Sequence, residues 1–332
     1  MLKKRGTRAP ARFFQIYLRN NISRKRSQLN ISFGWLFAII VGAIILFLAI
    51  FGATKVIKIG QSEEQAVGAK ELGILLNPLE TGFESAISTP LVLKTETRIL
   101  NKCSVSGNFG KQGIQISEFS FNKWTIPGVE SGFENKYIFS KAPYTEGKKF
   151  YIFSKPFEFP FKVSDLIYLT SENEKYCFDN APEEIAEEIS QLNQGNLAAD
   201  CLNAEADTIK VCFNSATNCD IRVYYDEGYI QKDKDKIYFE EDSLMYSAIF
   251  SSPEIYSCQV QRLMKRTKQL AELYKEKELL LSQRNCETNL AGDLDSLISQ
   301  IENTEDYKVI SSVDSLVEGL ENKNKYAECT LW

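Results

Sequence analysis

Eight cysteines and no histidine set the chemistry open to this 332-residue chain. The cysteines are Cys103, Cys177, Cys201, Cys212, Cys219, Cys258, Cys286 and Cys329. No two have C-x-x-C spacing, and without histidine the usual mixed zinc ligand sets are out of reach. We therefore expect neither a metal nor a cofactor. The missing histidine also removes Ser-His-Asp and Cys-His nucleophile systems. An even set of thiols in an oxidising compartment reads instead as disulfides, with the connectivity open. Three pairings have a local rationale. Cys212 and Cys219 flank an expected hairpin, and Cys177 with Cys201 would close the helix between them. Cys286 and Cys329 would meet if the helices before them run parallel.

Carboxylates are the other candidate chemistry. Glu183, Glu184, Glu187 and Glu188 lie on adjacent faces of one expected helix. Paired carboxylates can bind metal or act as acid and base, but nothing nearby in sequence completes such a site. A solvated acidic face is the expectation, and no catalytic residue is nominated. The basic group Arg262, Lys265, Arg266 and Lys268 is read the same way, as a solvated face paired with glutamates. Lipid headgroups or a polyanion are its alternative partners. Lys232 to Lys236 (KDKDK) is a charged turn; the Gly and Glu of an EF-hand are absent. No Gly-rich phosphate loop or dinucleotide fingerprint is present.

The element that must position all of this is the run from Phe33 to Ala53, which carries no charge over 21 residues. As helix it is about 31 Å long, close to the hydrocarbon thickness of a bilayer, and it is apolar on every side. Nine Lys and Arg precede it, and no acidic residue appears before Glu63. That leaves 30 Lys and Arg against 44 Asp and Glu in the body, a balance of −14. Positive flanks tend to stay in the cytoplasm, so the head is expected inside and the body outside. The exit Gly52-Ala53-Thr54-Lys55 is a poor small-x-small cleavage site, which favours a retained signal-anchor. All eight cysteines fall on the outer side. The partners expected on these grounds are the lipid bilayer and an envelope protein, with no nucleic acid.

The fold expected is a single-pass membrane protein with an α+β ectodomain. Residues 1–32 form a basic cytoplasmic head, 33–53 the transmembrane signal-anchor helix, and 54–89 a helical stalk. Residues 90–250 form a β-rich, disulfide-containing region with short helices, and 251–332 an antiparallel helical bundle. In the stalk, Ser62-Glu63-Glu64 makes an acidic start and Asn77-Pro78 a stop, with a short helix following to about Ala86. Tyr137-Ile138-Phe139-Ser140-Lys141 recurs as Tyr151-Ile152-Phe153-Ser154-Lys155, and the two copies are expected to pair as a β-hairpin. Phe157, Phe159, Phe161 and Val163 share one face. They are read as core, or else as an apolar edge strand open to a partner, because Pro156 and Pro160 cannot donate to a ladder. Asn180 and Glu183 resemble a capping box. Tyr256, Val260, Leu263, Thr267, Leu270 and Tyr274 are spaced as a heptad seam.

The span with its flank, Ser32 to Ile40, resembles a group of single-pass archaeal surface proteins found mainly in small-genome DPANN-type lineages. The stretches Lys162 to Leu169 and Ser252 to Thr267 are similar to that group too. The resemblance implies an archaeal cell-surface protein and carries over no functional residue. Arg26-Ser27-Gln28 before an apolar helix also resembles the cleavage region of archaeal class III, pilin-type signal peptides, with Ser32 about where their Glu is expected. The function expected is a membrane-anchored extracellular structural, adhesive or partner-binding protein of the cell envelope, not an enzyme. A pilin-like or secretion-assembly component, using the heptad helix or an exposed strand edge, is one alternative. A carboxylate-dependent hydrolase of envelope polymers is the other.

Overall fold

A computed structural model describes residues 33–75, 87–141, 143–214, 218–286, 288–303 and 309–332. The basic head, the pilin-like flank and the short helix expected up to Ala86 lie outside these residues. The chain divides into two compact units, Met1–Lys55 and Val56–Trp332.

Helix α1 runs from Phe33 to Leu75. Its segment Phe33–Lys55 is long and apolar enough to cross a membrane, and none of it is buried inside the protein. The acidic Ser62-Glu63-Glu64 does not start a new helix as expected, because α1 passes through it unbroken.

Among the described residues the body contains two sheets. The first comprises β1 (Ile87–Ser104), β2 (Lys111–Ser120), β3 (Lys123–Trp124), β4 (Ser131–Phe133), β5 (Tyr137–Phe139), β6 (Tyr144–Glu158) and β7 (Lys162–Ser171). Its order is β3-β2-β1-β6-β7-β5, with β4 on β2. The second comprises β8 (Tyr176–Asp179), β9 (Leu197–Ala198), β10 (Ile209–Phe213), β11 (Ile221–Tyr224), β12 (Tyr229–Lys232) and β13 (Asp235–Tyr238), in the order β13-β12-β11-β10-β8-β9. Between β8 and β9 lies α2 (Glu183–Gln191). Among the described residues four helices follow the second sheet: α3 (Glu241–Phe250), α4 (Pro253–Ser282), α5 (Ala291–Glu302) and α6 (Val309–Lys325).

Side-chain alternation explains why the first sheet has two cores. Phe153 and Phe157 of β6, Leu166 and Tyr168 of β7, and Tyr137 and Phe139 of β5 pack under α3 and α4. The opposite face sends Ile99, Ile114, Ile138, Ile152, Ile167 and Leu169, from five strands, into a separate buried cluster. The sheet curls around that cluster: Asn101 of β1 donates from Nδ2 to the Ile138 carbonyl of β5 at 2.9 Å. The main core continues into the second sheet through Phe178, Val211, Phe213 and Val223, and into α5 and α6 through Leu294, Leu297, Val313 and Leu320. The β-rich and helical regions, expected as separate stretches, therefore share one core.

Ion pairs fix the helix directions. Lys268 and Lys275 of α4 meet Glu302 and Asp295 of α5, and Asp293 of α5 meets Lys323 of α6. Each neighbour is antiparallel, as expected, and α4 and α6 run the same way.

Several expectations are corrected. The two Tyr-Ile-Phe-Ser-Lys copies do not form a hairpin, because β7 lies between them. Phe139 and Phe153 each stand opposite Tyr168, one from a parallel and one from an antiparallel neighbour. β10 and β11 are likewise parallel rather than a hairpin. Period two reports which face a residue takes, not which strand it joins. No capping box forms: the N-cap of α2 is Pro182, without a side-chain bond, and Asn180 sits at φ 53°. Phe157, Phe159, Phe161 and Val163 are buried in the main core, as the core reading expects, and only the apolar-edge alternative falls. Past the Ile87↔Ser154 pair, β6 has only β7 beside it among the described residues, which accommodates Pro156.

Candidate functional site

The eight cysteines form four pairs: Cys103–Cys258, Cys177–Cys201, Cys212–Cys219 and Cys286–Cys329, with Cα separations of 6.1, 5.1, 6.0 and 6.0 Å. Cys103–Cys258 ties the end of β1 to the start of α4 across 155 residues. The parallel course of α4 and α6 brings Cys286 to Cys329.

Beside Cys258, α4 carries a polar anchor. Gln259 donates to Gln112 Oε1 at 2.5 Å and to the Ile138 carbonyl at 3.0 Å. Arg262, completely buried, donates to the carbonyls of Lys136 (2.8 Å), Glu134 (2.9 Å), Phe109 (3.3 Å) and Phe133 (3.4 Å) and to Gln259 Oε1 (2.7 Å). Its guanidinium lies 4.7 Å from the Tyr137 ring. Burial lowers its pKa from the ordinary value. Lys265 reaches the Val105 and Gly107 carbonyls at 2.5 and 3.0 Å. The basic group is thus no solvated face. Two of its members hold loops by their backbone carbonyls, which have no residue type and leave no trace in sequence. Lys268, paired with Glu302 and Glu272, does behave as expected.

The acidic face divides too. Glu183, Glu184 and Glu187 are exposed. Glu188 accepts from Lys155 Nζ at 2.8 Å and from the Tyr246 hydroxyl at 2.9 Å. A further acidic group gathers where α3 begins: burial, with Asp314 and Glu318 nearby, pushes Glu240 up to about 7. Burial, opposed by a backbone hydrogen bond and aided by Glu321 and Glu158, pushes Glu241 up to about 8. Among the described residues no group of three His, Cys, Asp or Glu is set to hold a metal ion.

A cleft of about 640 Å³ opens between β11–β12 and the joint of α3 with α4. Lys141 and Arg222 are exposed on its wall, with Asp220, Asp233 and Asp235 among them. Within it Lys232 donates from Nζ to the carbonyls of Ile249 and Ser251, both at 2.7 Å. These carbonyls end α3, where unsatisfied acceptors and the helix dipole favour a donor. Burial, with the charge of Lys141, lowers Lys232 to about 7. A mixed-charge cleft with a partly neutral amine suits a polar ligand. In the sequence Lys232 falls in a charged turn. The signal was there in the alternation: Ile230, two residues earlier on β12, is buried, so Lys232 points the same way.

No protein-family model, curated protein or solved structure matches the chain.

Proposed function

We propose that this protein is a membrane-anchored extracellular protein of the cell envelope, with a structural, adhesive or partner-binding role. One observation carries the reading: Phe33–Lys55 is a continuous apolar helix with no part buried against the rest of the chain. Exposing so much apolar surface to water is unfavourable, and a bilayer removes that cost. The four cysteine pairs and the basic head before an acidic body support an outer location for the body. The heptad seam of α4 gives the assembly-component alternative no support, since Tyr256, Val260, Leu263 and Thr267 are buried in the protein's own core.

Protease treatment of intact cells expressing the full chain tests the reading. Digestion of the body, with the head protected until the membrane is opened, is the expected result. Release of the intact protein by alkaline carbonate, or protection of the body in intact cells, would overturn it.

A further inference from the structure

The hairpin between β2 and β3 has an unusual tip. Phe119 pairs with Trp124 and Ser120 with Lys123, so Phe121 and Asn122 form a two-residue turn. Their φ values are 50° and 59°, the type I′ arrangement in which Asn, Asp and Gly are favoured. A bulky aromatic at positive φ is sterically disfavoured, yet Phe121 occupies the first position and is 97% exposed. The chain continues through Ile126 and Val129, which are 82% and 66% exposed, and Phe119 is 38% exposed. Trp124 packs edge-on against Phe119, with the Arg98 guanidinium 4.2 Å from its ring.

We propose that this hairpin is a second membrane contact, dipping its tip into the headgroup level of a lipid bilayer. The proposal rests on the anchor reading given above. Composition favours lipid. From Phe119 to Val129 there is no acidic residue in a chain that has 44, and the charged side chain present is Lys123. Aromatic side chains beside a cation are what partitions to a membrane interface. Shape agrees, since a convex turn can enter a bilayer but offers little area for a specific protein interface, about 800 Å² on each partner.

Two single-tryptophan forms of the full chain separate this proposal from the anchor reading. Trp332→Phe is common to both, and keeps a ring against Phe161 and Tyr274. Adding Trp124→Phe leaves Trp35 to report the span, and adding Trp35→Phe leaves Trp124 to report the hairpin. Each is reconstituted in phosphatidylcholine vesicles with and without brominated acyl chains, with circular dichroism as the check on folding. The expected result is that both tryptophans lose most of their emission to bromine. Phe121→Asp with Ile126→Asp, both at exposed positions, should then restore Trp124 emission and leave Trp35 quenched. Quenched Trp35 with unquenched Trp124 would overturn the hairpin proposal alone, leaving the tip to a protein partner. Trp124 quenching that survives the Asp pair would overturn it too. Unquenched Trp35 would overturn the anchor reading and the hairpin proposal with it.

Discussion

Gly110 and Arg262 are packed so closely that the arginine leaves no room for a side chain at position 110. A Cβ on Gly110 would stand 2.7 Å from Arg262 Cγ and 2.5 Å from the Ser104 carbonyl oxygen, and Gly110 is at φ +63°. The loop after β1 is thus moulded onto the arginine of α4, next to the Cys103–Cys258 pair.

Gly110→Ala should destabilise the body by about 2–4 kcal/mol, from positive-φ strain and an overlap with backbone that cannot give way. Arg262→Met should cost about 3–5 kcal/mol, because it leaves several buried carbonyls without donors. Urea unfolding of the full chain in detergent, followed by near-ultraviolet circular dichroism, measures both. A change below about 1 kcal/mol for Arg262→Met would refute the anchoring role.

The disulfides should differ in weight. Chain-entropy reasoning assigns about 5 kcal/mol to a crosslink spanning 155 residues and about 2 kcal/mol to one spanning 7. Replacing Cys103 and Cys258 by Ala should therefore lower the unfolding midpoint much more than replacing Cys212 and Cys219. Equal losses would contradict this ordering.

Lys232 should make stability rise with pH above neutrality. Its pKa is lowered from 10.5 to about 7 in the folded protein. Between those values the unfolded chain binds a proton that the folded chain lacks, so stability increases with pH across that window. Lys232→Met should flatten the rise and, by removing the donor to two carbonyls, cost about 1–2 kcal/mol at high pH. Isotope-labelled reductive methylation followed by NMR should find one dimethyl-lysine titrating near 7; if all titrate near 10, the assignment of Lys232 fails.

Glu174 should act in the opposite direction and over a lower window. Burial raises it from 4.5 to about 7, with Lys141 and the Ser171 backbone N–H opposing. Between those values the folded chain keeps a proton that the unfolded chain has released, so stability falls as pH rises. Glu174→Gln should remove that fall and leave the protein about 2 kcal/mol more stable than wild type above pH 7, with no difference near pH 4. Parallel stability profiles for the two proteins would dismiss the effect.

What the sequence determined by itself is whatever follows from neighbours along the chain. The uncharged run from Phe33 to Ala53 reads as helix because each residue in it is apolar. The antiparallel α4, α5 and α6 follow from periodic stripes and short joints. Cys177–Cys201 and Cys212–Cys219 are legible because few residues separate them. Tertiary structure decided everything that depends on a partner far along the chain. Strand pattern could not distinguish a hairpin from two strands with β7 between them, because alternation carries no partner identity. Cys103–Cys258 joins elements whose nearness depends on the curl of the first sheet. The burial of Arg262 and Lys232 is satisfied by carbonyls that every residue possesses, so no residue type could announce it. Both lysine and arginine look like surface charges until the fold places acceptors around them.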